Sequence, residues 1–138
     1  MAKARFRQAT EQERALFDSV IHDYYSWLTS WEIGLLFRNE PRVMGGRACF
    51  ATAHKASGPM PFLTGWDGWV EVCERFWDAR SEEWHRYLYD HELFHFTEDN
   101  NGNLKLRSHD IEEFVEVANR YSSDVTALWQ VERAFIPR

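Results

Sequence analysis

The chain has 138 residues, a formal net charge of −6 and 16% aromatic residues. That length suits one domain, taken as residues 1–138, which can bury a core without disulfide or metal staples. The acidic balance argues against general nucleic-acid binding, which relies on Lys and Arg neutralising phosphates, and no apolar run is long enough for a secretory leader or a membrane span.

The expectation is therefore a soluble, cytoplasmic protein. Its two cysteines, Cys49 and Cys73, form no CxxC pair and carry no redox or zinc-ribbon signal. Seven Trp, ten Phe and five Tyr are read mainly as core, because aromatic side chains dominate buried area.

In chain order, the first predicted element is a helix over about residues 10–29. Leu16, Val20, Tyr24 and Leu28 recur at helical spacing, and Thr10 with Glu13 makes a capping box. A strand is predicted at 31–38, ended by Asn39, Glu40 and Pro41. Gly45-Gly46 opens a second strand at about 47–54, a Pro-containing loop covers 57–65, and a third strand covers 69–73. Three short strands in succession suggest a meander or antiparallel sheet. A helical turn at 76–79 precedes a helix over about 81–96, with Ser81 as N-cap and Glu82 and Glu83 at the positive end of its dipole. Residues 98–103 read as a turn. Further helices are expected at about 108–121 and 124–135. The fold class is α+β: an N-terminal helix, a short three-stranded sheet, a long central helix and further C-terminal helices.

The chemistry is concentrated in His91-Glu92-Leu93-Phe94-His95. On a helix, residues four apart lie on one face, so the two imidazoles can bind one zinc ion from the same side. Glu92 projects beside them and can act as general base on a water without being a ligand. Tyr89, Leu93 and Phe96 form an apolar stripe suited to the core, and Trp84 and Leu88 precede the histidines on their own face. Such a helix could also be a buried one whose histidines make ordinary hydrogen bonds.

A catalytic zinc site needs a third protein ligand and an open position. The extended metzincin motif would require Gly at 98 and His at 101, where Glu98 and Asn101 stand. His109, after the Asn/Gly-rich turn, is the leading candidate. Glu112 or Glu113, one turn further on, could ligate instead, and either of them or Asp110 could orient a ligand. For His109 the plain alternative is a helix-start residue with no metal role. His22 reads as a surface residue, while His54 and His85 are less persuasive ligands. A tetrahedral oxyanion would need a donor besides the metal, with Tyr121, Lys55 and Arg107 as candidates.

Residues 88–95, Glu98, Asp99 and Gly102, and the segment Arg107-Ser108-His109-Asp110-Ile111-Glu112-Glu113-Phe114 together resemble the phage metallopeptidases, small zincin-like domains distantly similar to SprT-like zinc proteases. Upstream stretches at 36–38, 53–57 and 62–67, and Trp77, extend the resemblance over roughly residues 10–121. It implies a zincin-like fold of phage or prophage origin, with His91 and His95 as zinc ligands and Glu92 as base. It supports His109 as third ligand. Phe94 stands where relatives often have Cys. The implied partner is a peptide or protein substrate.

Two other functions are compatible with the same motif: a non-catalytic zinc-binding interaction protein, such as a counter-defence factor that binds a host protein, and an SprT-like protease acting on nucleic-acid-associated proteins. Glu92 argues against the first, since structural zinc needs no base. The negative charge and the lack of a zinc finger or basic tail weigh against the second. A third reading is an interaction protein with exposed Trp residues as its docking patch.

Overall fold

A computed structural model describes residues 4–44, 46–78, 80–107, 117, 120 and 121. In chain order the elements are β1 (Phe6–Gln8), α1 (Glu11–Tyr24), a 3-10 helix (Ser26–Ser30), β2 (Ile33–Arg38), β3 (Val43–Met44), β4 (Arg47–Ala48), β5 (Ala51–Lys55), α2 (Met60–Thr64), β6 (Gly68–Cys73), α3 (Glu74–Trp77), α4 (Glu82–Leu93), β7 (Phe96–Glu98) and β8 (Leu104–Leu106). The architecture is mixed α+β, as expected. The two helices anticipated at 108–121 and 124–135 lie outside the described residues, apart from Val117, Arg120 and Tyr121.

Local chemistry accounts for the helix starts. Thr10 and Glu13 form a reciprocal capping box at the start of α1, which satisfies two otherwise orphaned backbone donors. α1 ends at Tyr24, and the chain tightens into the 3-10 turn where one continuous helix was anticipated. Ser81 caps α4 by accepting from the Trp84 amide.

The sheet departs from the anticipated three-stranded meander. Four strands lie in the order β1-β2-β6-β5. β2 and β6 run parallel, in register from Ile33 opposite Gly68 to Arg38 opposite Cys73. β1 and β5 add antiparallel at the two flanks. β1 was not legible in sequence because three residues carry no alternation, and its pairing uses main-chain groups alone. The anticipated strand at 47–54 divides in two. Arg47–Ala48 pairs with β3 and Ala51–Lys55 pairs with β6. Between them Phe50 is buried, 5.0 Å from the Phe76 ring and 5.7 Å from Trp84. The expected loop at 57–65 contains α2, whose Gly65 cap sits at φ 73°, a left-handed position suited to glycine. The turn at 98–103 is present, and it joins β7 to β8 as a hairpin.

Alternation along the strands sorts the faces. Ile33, Leu35, Phe37, Val70 and Val72 are buried in the core, where Phe37 meets Trp77 edge-on at 5.2 Å. The opposite face carries Arg38, Glu71, His54 and Trp69. There Glu71 is buried, accepts two bonds from Arg42 and lies 3.6 Å from His54 Nε2.

Candidate metal centre

α4 is positioned by contacts at its two ends. Trp84, in its first turn, packs against Phe50 just before β5 begins. Phe96, just beyond its end, packs where a Cβ on Gly68 would stand, 2.8 Å away, and Gly68 pairs with Lys55 at the end of β5. The helix therefore runs alongside β5 in the same direction. Its last turns bring His91, Glu92 and His95 toward the end of that strand.

The donor atoms of His91, Glu92 and His95 all lie within 4.8 Å of one another. Among the described residues this is the one group of three or more His, Cys, Asp or Glu side chains able to share a cation. His91 is 1% and Glu92 3% exposed, while His95 is half-buried. The two imidazole rings sit 5.5 Å apart at 72°, and His91 Nε2 is 3.7 Å from Glu92 Oε2. α4 ends at Leu93, so His95 stands in a closing turn, its amide bonded to Glu92 O at 3.2 Å. The four-residue spacing still keeps it beside His91.

His95 is oriented by the strand that returns toward it. Its Nδ1 lies 2.7 Å from the Arg107 carbonyl, which can only accept, so Nδ1 carries the proton and Nε2 presents its lone pair. Metal-binding histidines are typically held in this way, by a carbonyl or carboxylate on the other ring nitrogen. Arg107 closes the arrangement. Its amide donates to His95 O, its Nε donates to Phe94 O, and its guanidinium stacks 4.0 Å from the Phe94 ring centre.

Directly before His91, the Asp90 carboxylate is fully buried. Tyr25 donates to Oδ1, Arg120 Nη1 reaches the same oxygen at 2.6 Å, and Tyr121 meets Oδ2 at 2.8 Å. Burial, followed by the Asp90 charge, pushes the Tyr25 and Tyr121 phenols far above the ordinary tyrosine range, which keeps them protonated donors. The available signal for this network was one acidic residue closing the run Tyr87-Leu88-Tyr89, directly before His91.

The remaining anticipated site residues are spread more widely. His109, Asp110, Glu112 and Glu113 lie outside the described residues. Lys55 is exposed at the end of β5. The Tyr121 hydroxyl faces Asp90 and the Arg86 carbonyl. His22 is exposed on α1, and His54 stacks on Trp69 at 4.9 Å. His85 stacks on Trp77 at 3.5 Å and bonds the Trp77 carbonyl through Nε2. Among the described residues no helix is long and apolar enough to cross a membrane.

Two imidazoles and a carboxylate form a donor set that suits a borderline-soft divalent ion such as zinc, and the fixed His95 tautomer adds to that fit. In comparison with known proteins, the family model described as putative phage metallopeptidase matches residues 5–133. No curated protein and no solved structure matches the chain.

Proposed function

The chain belongs to the phage metallopeptidase family, and from that membership we propose that it is a zinc-dependent peptidase with His91 and His95 as ligands, His109 as third ligand and Glu92 as general base. The observation that carries this reading is the cluster of two imidazoles and a carboxylate within 4.8 Å, with His91 and Glu92 buried and His95 half-buried, and with the His95 lone pair directed by Arg107. His109 enters from its sequence position, two residues beyond the Arg107 that binds His95; Glu112 and Glu113 are the alternatives. The whole chain is read as one zincin-like domain acting in the cytoplasm.

Zinc held there would supply a Lewis acid and lower the pKa of a coordinated water toward neutrality. Glu92 then takes a proton from the attacking water and returns it to the leaving amine. Its 3% exposure limits competition from bulk solvent. Lys55 and Arg107 are the candidate donors to the developing oxyanion; the third anticipated donor, the Tyr121 hydroxyl, is engaged by Asp90 and the Arg86 carbonyl. Among the described residues β5 is hydrogen-bonded to a strand on one side only. Its other edge can pair with an extended peptide by strand addition, which would lay the substrate beside the last turns of α4.

The experiment is the Glu92→Gln exchange. It should retain zinc in the purified protein and lower peptide cleavage by about 10²–10⁴-fold, the range typical of general acid–base catalysis. Cleavage at the wild-type rate by zinc-loaded Glu92→Gln protein would remove the proposed base. Full biological effect with cleavage abolished would favour the non-catalytic zinc-binding reading.

A further inference from the structure

Among the described residues, the proposed chemistry leaves unused one fully buried carboxylate, Asp90. Its donors come from two distant parts of the chain. Tyr25 lies 65 residues before it, while Arg120 and Tyr121 lie 30 and 31 residues after it. A buried carboxylate is tolerated when it is paired and fully hydrogen-bonded, and becomes strongly destabilising when a partner is lost. Here both oxygens are engaged.

We propose that Asp90 is a positioning residue for the metal centre: by docking Tyr25, Arg120 and Tyr121 on one side of α4, it sets the rotation that aims His91 at the cation. This inference rests on reading His91, Glu92 and His95 as the metal site.

Adjacent residues on an α-helix diverge by about 100°. Fixing the direction of Asp90 therefore fixes that of His91. Neighbouring contacts act in the same sense. Tyr87, almost one turn earlier, meets the Tyr121 ring edge-on at 5.2 Å. Arg86 reaches Ser19 and Asp23 on α1. The Arg120 guanidinium also lies 4.2 Å above the Tyr24 ring, which joins the end of α1 to the same cluster. Neither Arg120 nor Tyr121 belongs to the cation-sharing group. Both reach α4 at the Asp90 carboxylate, which gives them a route to His91 through that helix. By reciprocity, bound zinc should stabilise the docking of both residues.

The test uses the full chain and reads zinc affinity by competition with a chromophoric chelator, together with the visible absorption of the cobalt-substituted protein. Asp90→Asn should bind zinc about 10–100-fold more weakly, the usual loss for an orienting partner, and should alter the cobalt bands. Tyr121→Phe, which removes one hydroxyl, should shift both readouts in the same direction by a smaller factor. Thr10→Ala, a capping change at the far end of α1, should move neither. Folded Asp90→Asn and Tyr121→Phe proteins with wild-type zinc affinity and unchanged cobalt bands would overturn the proposal. If Asp90→Asn does not fold, Tyr121→Phe decides by the same two readouts. A wild-type chain that binds no zinc would overturn the reading of the metal site itself, and the role of Asp90 with it.

Discussion

At the scale of single residues, the candidate centre depends on which atoms are already engaged. The bond from His95 Nδ1 to the Arg107 carbonyl selects the tautomer and leaves Nε2 to approach a cation. Sequence spacing placed His91 and His95 on one face but could not reveal that bond, because the acceptor is a main-chain group twelve residues away. His95→Ala should abolish stoichiometric zinc binding, as measured by metal analysis after gel filtration. His22→Ala, on exposed α1 surface, should leave the zinc content at the wild-type value. Retention of one zinc per chain by His95→Ala would exclude His95 as a ligand. The same limit applied to Asp90. Its position between Tyr89 and His91 was visible, but its three partners were not.

At the scale of elements, capping and close approach decide stability. Ser81 accepts from the Trp84 amide at the start of the helix that carries the site. Ser81→Ala should cost ~1 kcal/mol, seen as a lower denaturant midpoint with an unchanged slope. Gly68 is more demanding. A Cβ there would lie 2.8 Å from the His54 carbonyl oxygen and 2.8 Å from the Phe96 ring. The oxygen is main chain and cannot swing away, so Gly68→Ala should destabilise by about 1–3 kcal/mol, as overpacking does. It should also disturb zinc binding, because Phe96 directly follows His95. A wild-type midpoint for Gly68→Ala would show that the sheet and the β7–β8 hairpin can separate at little cost. Helix existence was legible for α1 and α4 from periodicity and caps. The parallel pairing of β2 with β6 was not, since nothing in either segment encodes which neighbour it will meet across the intervening chain.

At the scale of the whole molecule, half-buried histidines outside the metal centre make stability depend on pH. Burial holds the His85 and His54 imidazoles below the ordinary histidine range; for His54 the nearby Glu71 charge opposes that shift. The unfolded chain therefore takes up protons first as the pH falls. Their contribution is full above the unfolded pKa of about 6.5 and is lost progressively as pH drops through it toward the folded value. Urea midpoints of the chelator-treated protein should decline between pH 7.5 and 5.5. His85→Gln should flatten that decline, and an unchanged slope would show that His85 does not contribute. The sequence by itself determined the α+β class, the principal helices and the histidine pair with its neighbouring glutamate, because periodicity, capping and i, i+4 spacing are local properties of the chain. Only the tertiary structure decided the mixed sheet, the alignment of α4 with β5, the His95 tautomer and the buried Asp90 network. Each of these depends on groups that are distant in sequence and become partners only when the core closes.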